Sequence, residues 1–304
     1  WFISMITDES VKKCGFIAVL GEPNAGKSTL VNAFVGSKVS IVSPKVQTTR
    51  RRILGLAIQN ATQLIFVDTP GIFKPKRSLE KSMVKTALEA RQGADKVLLV
   101  VDARQKSFEG SFSILKQLGN NQPITLILNK IDLLDPPRLL GIIEKFRNFP
   151  QITDTFMISA LTGEGVQDLL ERLAHEMPKG VWLYPEDQLT DLPLRLWAAE
   201  MTREQLVLQL QHELPYETYV ETETWENFEN GSIKIQQAIV VAKSAQKGII
   251  LGRQGQRIKT ISQKARREIE KHLEQPVHLF LFVKVTDNWM DKPYLLKEAG
   301  ILDS

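Results

Sequence analysis

Eight consecutive residues constrain this chain more than any others. Gly21-Glu22-Pro23-Asn24-Ala25-Gly26-Lys27-Ser28 fits G-x-x-x-x-G-K-[ST] and stands between an apolar run, Phe16–Leu20, and a helical pattern, Lys27–Val35. Glycines let the backbone wrap closely, so that its N–H groups face phosphate oxygens, and the helix N-terminus behind them favours negative charge. Lys27 is then placed to reach β and γ phosphates, with the Ser28 hydroxyl, ahead of Thr29, as a ligand for Mg2+.

A strand–loop–helix unit of this kind belongs in an α/β domain, and from Gly15 to Leu173 short β-branched runs alternate with helical periodicity, as a mostly parallel sheet with helices on both faces requires. Strands are predicted at Phe16–Leu20, Arg52–Ile58, Gln63–Asp68, Lys96–Asp102, Ile124–Asn129 and Thr155–Ser159. Helices are predicted at Lys27–Val35, Leu79–Gly93, Phe108–Leu118, Arg138–Phe149 and Val166–Met177. Pro178-Lys179-Gly180, then Pro185 and Pro193, mark a boundary. Beyond it the pattern reads helix Leu194–Gln211, strands Tyr216–Thr224 and Ser232–Ala242, helices Ser244–Leu251 and Gln256–Leu273, and strand Pro276–Val285. The expected divisions are an extension at 1–13, a first domain at 14–178, a linker at 179–192, a second domain at 193–286 and a tail at 287–304. Met5 behind Trp1-Phe2-Ile3-Ser4 leaves too short a stretch for a signal peptide's apolar core, and those four residues are expected to precede the start site.

Three further elements at strand ends define the ligand. Asp68-Thr69-Pro70-Gly71 closes one strand, where the aspartate can hold Mg2+ through water and the Gly71 N–H can sense a γ-phosphate. Asn129-Lys130-Ile131-Asp132 follows another. A carboxylate at Asp132 can accept from both N1–H and the exocyclic amine of guanine, whereas adenine would leave that acceptor unpaired, a difference of roughly 10⁴–10⁵ in discrimination. Ser159-Ala160 completes the base pocket through backbone contacts. The nucleotide is therefore guanine. In Gln47-Thr48-Thr49-Arg50 one threonine is expected in the Mg2+ shell; Thr49 is preferred, with Thr48 the alternative. Ile72 stands where a water-orienting glutamine would follow Gly71, so intrinsic turnover is expected to be slow.

Charge points to the second ligand. The chain of 304 residues carries a formal net charge of only +4, with 43% hydrophobic and 24% charged residues, an ordinary globular composition without a run of the ~20 apolar residues that span a bilayer. Residues 1–180 hold 24 Lys/Arg against 17 Asp/Glu, and residues 181–304 hold 15 against 18. That acidic half conceals a dipole. Residues 185–230 carry eleven acids against two arginines, whereas residues 243–271 carry nine Lys/Arg against two Glu, around Gly252-Arg253-Gln254-Gly255. Two helices meeting at such glycines let a nucleic-acid backbone approach and clamp about four nucleotides. Lys247, Gly252, Arg253, Gln254, Gly255, Arg257 and Lys259 are the candidate RNA-binding residues, and the acidic segment could restrain the basic helix when RNA is absent. Cys14 excludes an intrachain disulfide and reads as a small buried residue opening a strand in a reducing cytosol. His175, His212, His272 and His278 have no zinc-site spacing.

The four nucleotide elements in this order resemble the translation-factor-related GTPases. The GxPNxGKS form of the loop resembles that of potassium-stimulated GTPases, which implies that Asn24 helps hold K+ near the β and γ phosphates. Ile249 to Lys259 resembles the GxxG loop of a KH domain of the prokaryotic, type II, α-β-β-α-α-β order. A GTPase domain followed by such a KH domain resembles the bacterial Era family over nearly the whole chain, with Leu214-Pro215-Tyr216 and Pro276-Val277-His278-Leu279 as further likenesses. The resemblance implies an α/β P-loop GTPase domain and an α+β KH domain in a GTP-hydrolysing protein. It assigns GTP binding to Gly21 through Thr29, to Asp68 through Ile72, to Asn129 through Asp132, and to Ser159 and Ala160. It gives Lys27, Thr49, Gly71 and Asn24 to catalysis, and Ser28, Thr49 and Asp68 to Mg2+. It further implies a monomer that binds 16S ribosomal RNA near its 3′ end during 30S assembly, in the cytoplasm with peripheral association at the inner membrane. The alternative is a GTP-controlled adaptor whose second domain binds a protein or membrane.

Overall fold

In the computed structural model, which describes residues 11–45, 48–73, 78–120 and 122–292, strand β1 (Lys13–Gly21) runs into the glycine loop and helix α1 (Lys27–Val35) leaves it. The first half continues through β2 (Ile53–Gln59), β3 (Thr62–Asp68), α2 (Ser78–Glu89), β4 (Lys96–Asp102), α3 (Glu109–Leu118), β5 (Ile124–Asn129), α4 (Pro136–Phe146), β6 (Ile152–Ile158) and α5 (Val166–Glu176). These strands form one sheet in the order β2-β3-β1-β4-β5-β6, in which β2 alone is antiparallel to its neighbour. Alternation along β1 builds both core layers. Ile17 and Val19 face Leu30, Leu169 and Leu173 of α1 and α5. Ala18 and Leu20 face Ile114 and Leu115 of α3 and Leu139 and Ile142 of α4. Because β1, β3 and β5 are parallel, Gly21, Asp68 and Asn129 end on one edge of the sheet, the crevice where α/β folds bind ligands.

The second half is α6 (Leu194–Gln209), β7 (Thr218–Asn227), β8 (Ile233–Val241), α7 (Ser244–Leu251), α8 (Gln256–Leu273) and β9 (Val277–Val285), with a three-stranded sheet in the order β7-β8-β9. Trp197, Ala198 and Met201 of α6 and Ala265 and Ile269 of α8 bury the inner face of Ile233, Ile235, Val277 and Leu279.

The segment expected as a linker lies against the first sheet. Leu56 N–H donates to Leu189 O and Gln63 Nε2 to Tyr184 O, while Gln63 Oε1 accepts from the N–H groups of Leu183 and Tyr184 and Leu54 N–H donates to Asp191. It is a strap along the β2–β3 side, not a loose tether. Of the expectations from sequence, Gln47, residues 1–10 of the extension and residues 293–304 of the tail lie outside the described residues.

Candidate guanine-nucleotide site and GxxG loop

The glycine loop is held in shape by what its side chains would otherwise strike. Gly26 has φ +97°, and a Cβ there would stand 2.2 Å from Asn129 Nδ2; a Cβ on Gly71 would stand 2.7 Å from Pro23 N. The β3 end therefore meets the loop backbone to backbone, and the β5 end meets it through the Asn129 side chain. Asn129 fastens them: its Nδ2 donates to Ala25 O at 2.9 Å, and its Oδ1 accepts from Lys130 N at 2.8 Å and Ala160 N at 2.9 Å. One buried amide thus joins the phosphate loop to both base-reading segments.

Lys27 is buried, and its ammonium donates to Gly21 O at 3.2 Å and Glu22 O at 3.0 Å. Burial pushes its pKa down to about 8, against the pull of Asp68 and Glu22. Asp68 is fully buried, and among the described residues neither carboxylate oxygen has a hydrogen-bond partner. Burial raises its pKa, opposed by Ser28, Lys27 and Ser40. The Ser28 and Thr49 hydroxyls lie 2.9 Å apart, whereas Thr48 Oγ1 donates to Lys45 O. An orphaned carboxylate beside two facing hydroxyls is an oxygen-only set that fits a hard divalent cation. Of the two threonines, it is Thr49 that stands beside Ser28.

Around this centre is a cavity of about 310 Å³ lined by Asn24, Lys27, Ser28, Thr29, Pro44 and Lys130, among others. Asn24 has φ +62° and its amide nitrogen donates to Pro44 O at 2.9 Å. Ile72 is buried in the core, with its N–H on Gly21 O at 3.0 Å. Thr69 Oγ1 donates to Val19 O, and Ser159 Oγ accepts from Thr162 N–H, which secures both loops from behind. Asp132 lies exposed in a single 3₁₀ turn after Lys130.

Sequence patterns missed three contributors, Asp102, Arg104 and Ser111. Asp102, at the end of β4, accepts from Lys130 Nζ at 2.7 Å and from Arg104 Nη2 at 2.7 Å, so although burial opposes it, these cations hold its carboxyl below the usual range. Arg104 itself lines the cavity. Glu22 accepts from Ser111 Oγ at 2.6 Å at the start of α3. Lys130 and Glu22 are in the motifs, but the signals that pair them with Asp102 and Ser111 are long-range and leave no local spacing.

In the second half, Gly252 (φ +70°) and Gly255 (φ +75°) bracket Gln254, itself at φ +51°, between α7 and α8. A Cβ on Gly252 would stand 2.7 Å from Arg257 Cβ, so this glycine permits the close join of the helices. Lys247, Arg253, Gln254, Arg257 and Lys259 are exposed on the side of this join, with Arg257 Nη1 donating to Ile249 O at 2.6 Å. The acidic segment is arranged otherwise than expected. Glu204 of α6 pairs with Lys38 of the first domain at 2.6 Å, and Glu200 with Arg51 of the first domain at 3.8 Å and with Arg203 of its own helix at 2.6 Å, so neither acid pairs with a cation of the basic helix α8.

Residues 16–130 match the family model described as 50S ribosome-binding GTPase, and residues 213–290 match that of the KH domain. The GTPase Era of Brucella suis biovar 1 (strain 1330) is 49% identical over 296 residues, covering 97% of this chain and 95% of that protein. The GTPase Era of Rhizobium meliloti (strain 1021) is 50% identical over 290 residues, covering 95% and 93%. Among solved structures, Era in complex with MgGDPNP and nucleotides 1506–1542 of 16S ribosomal RNA superposes with a TM-score of 0.89 at 39% identity, over 95% of this chain and 99% of that one. A tyrosine-to-alanine variant of Aquifex aeolicus Era bound to GDP·AlF4− gives a TM-score of 0.89 at 38% identity over the same shares.

Proposed function

The chain belongs to the GTPase Era family, and on that premise we propose that it is a GTP-hydrolysing switch that binds 16S ribosomal RNA near its 3′ end and acts in assembly of the 30S subunit. The observation that carries this reading is that one chain holds both a guanine-nucleotide crevice and an exposed GxxG join, over nearly the full length of a relative whose structure contains both ligands. We take the GTPase domain as 14–178 and the KH domain as 193–286.

In the crevice, Asp132 would pair with the guanine edge while Ser159 and Ala160 close the pocket. Phosphate binding would hold Lys27 in its charged form, and the Gly71 N–H would face the γ-phosphate. Ser28, Thr49 and Asp68 would hold Mg2+, which would supply neutralisation of phosphate charge. Ile72 can neither accept a proton nor orient water, so slow turnover is expected unless something else assists. We assign that help in part to K+ held by Asn24: with the amide nitrogen on Pro44 O, the side-chain oxygen is the end that can ligate a cation. Faster turnover in KCl than in NaCl, lost in Asn24→Ala, is the expected result; equal rates in both salts would remove the assignment. The peripheral membrane association that the resemblance implies is kept as part of this proposal; among the described residues no helix is long and apolar enough to cross a bilayer.

Footprinting on purified small subunits with a GTP analogue and with GDP tests the whole reading. Protection of the 3′ end of the 16S RNA with the analogue supports it; hydrolysis without any RNA protection would point to the adaptor instead.

A further inference from the structure

The segment after α1 is gripped by the second domain at several points. Lys38 reaches Glu204 of α6 at 2.6 Å and Glu268 of α8 at 3.1 Å, Val42 N–H donates to Glu204 Oε1 at 2.9 Å, and Ile41 is buried among Trp197, Ala198 and Met201. Toward the nucleotide the grip passes to arginines. The Thr48 carbonyl accepts from Arg203 Nη2 at 2.7 Å. Arg50, only 7% exposed, donates from Nη1 to Thr218 O at 2.7 Å and from Nη2 to Pro215 O and Tyr216 O at 2.9 Å each. Thr49 sits between these two anchors with its hydroxyl on Ser28. The peptide before Thr49 and the side chain after it are therefore both fixed to the second domain. A planar fork on three carbonyls is a geometry that an ammonium cannot reproduce.

We propose that Arg50 and Arg203 are positioning residues for GTP hydrolysis, holding Thr49 toward the metal-facing hydroxyl of Ser28 from the second domain, so that the γ-phosphate side of the site is complete only while α6 and the 215–218 turn are docked. This rests on the reading of Ser28, Thr49 and Asp68 as the metal set. The 215–218 turn opens β7 of the KH sheet, so a displacement of that sheet displaces Thr49, and by linkage a ligand that fixes Thr49 fixes the sheet. The contact is not built for greatest stability. Arg50, Arg51 and Arg203 gather about one buried carboxylate, Glu200, with the exposed Asp191 acting on Arg51 alone, and among the described residues the buried Arg203 Nη1 has no hydrogen-bond partner. An excess of buried positive charge suits an interface that opens.

The test compares the wild-type full chain with Arg50→Gln, Arg50→Lys and Arg203→Lys, reading affinity for fluorescent GDP and for a non-hydrolysable GTP analogue across a Mg2+ titration, single-turnover hydrolysis, and thermal unfolding. GDP affinity is expected to stay within about twofold, because Lys27, Asn129 and Asp132 are untouched, while analogue affinity falls about tenfold, its Mg2+ requirement rises and hydrolysis slows by roughly 10–100-fold. Arg50→Lys is expected to fail like Arg50→Gln, since charge without the fork is insufficient. A merely structural role would lower thermal stability and both affinities together, and that result overturns the proposal, as does an unaltered Mg2+ dependence in folded Arg50→Gln. If Arg50→Gln does not fold, Arg203→Lys, which keeps the charge beside Glu200, gives the same readout. Absence of hydrolysis in the wild type would remove the functional reading alone, because the GTP-analogue preference and its Mg2+ dependence are measured without turnover.

Discussion

Gly26 and Gly163 both have positive φ, +97° and +86°, yet only Gly26 is confined: a Cβ there would meet Asn129 Nδ2 at 2.2 Å, whereas one on Gly163 would meet open space. Gly163→Ala should cost about 1 kcal/mol of stability through its left-handed backbone and leave nucleotide affinity unchanged. Gly26→Ala must also push Asn129 away from Ala25, Lys130 and Ala160, and is expected to weaken GTP and GDP alike by at least about tenfold in a binding titration. Lys27 gives a pH signature. Its pKa is depressed to about 8 by burial, and phosphate charge raises it again in the complex. The bound state therefore holds more proton above pH 8, so affinity is full below that pH and declines as pH rises beyond it. Calorimetry in buffers of different ionisation heat should show proton uptake on binding above pH 8; no uptake would mean that Lys27 is already charged in the free protein. Thr49→Ala should depress hydrolysis much more than Thr48→Ala, since Thr48 lines the cavity but its hydroxyl is turned onto Lys45 O, whereas that of Thr49 meets Ser28.

Elements with a strong local period were legible in the sequence; those decided by neighbours were less so. Residues Lys27–Val35, Lys96–Asp102, Ile124–Asn129, Ser244–Leu251 and Gln256–Leu273 have the bounds that periodicity, glycine and strand-end signals predict. Strand β6 begins at Ile152, three residues before the expected Thr155, because its pairing with β5 passes a register shift and its half-exposed Thr and Asp side chains carry no apolar alternation. Strand β7 extends to Asn227 through an irregularity between Thr222 and Thr224, which breaks the period of two that sequence reading depends on. Helix α4 starts at Pro136, where proline is accommodated in the first turn, not at Arg138. The GxxG join shows the same division at finer grain: its glycines were readable, but the left-handed Gln254 between them was not. That residue makes the join testable as an element. Replacing Arg253 and Gln254 together by aspartate should reduce binding of a single-stranded RNA from the 16S 3′ end by at least about tenfold and flatten its salt dependence, with GTP affinity intact. RNA binding that stays at the wild-type level would place the footprint away from this loop.

Across the whole molecule, the expected dipole between acidic and basic stretches resolves into an interface that local patterning could not reveal, since Arg50 meets its carbonyls 165–168 residues away along the chain. The motifs of the candidate nucleotide site were legible because each is contiguous; the docking of the second domain was not, because its determinants are single residues on separate elements. Glu200 sets how that docking responds to acid. Burial opposes its ionisation, but Arg203, Arg51 and Arg50 hold its pKa at about 2, below the ordinary 4.5. A depressed carboxylate stabilises the state that depresses it above pH 4.5, and that stabilisation is lost as pH falls from 4.5 toward 2. Protonation leaves three guanidiniums with no buried anion among them, the exposed Asp191 acting on Arg51 alone, so the docked arrangement is the first casualty. Glu200→Gln creates the same imbalance at neutral pH, where breaking a buried pair costs about 3–5 kcal/mol. Small-angle scattering should therefore report a more extended particle for Glu200→Gln at neutral pH, while binding of GDP persists and its preference for a GTP analogue declines. An equally compact variant would show that the apolar contacts of Ile41 and Trp197 suffice to dock the domains, and that Glu200 has no part in coupling them.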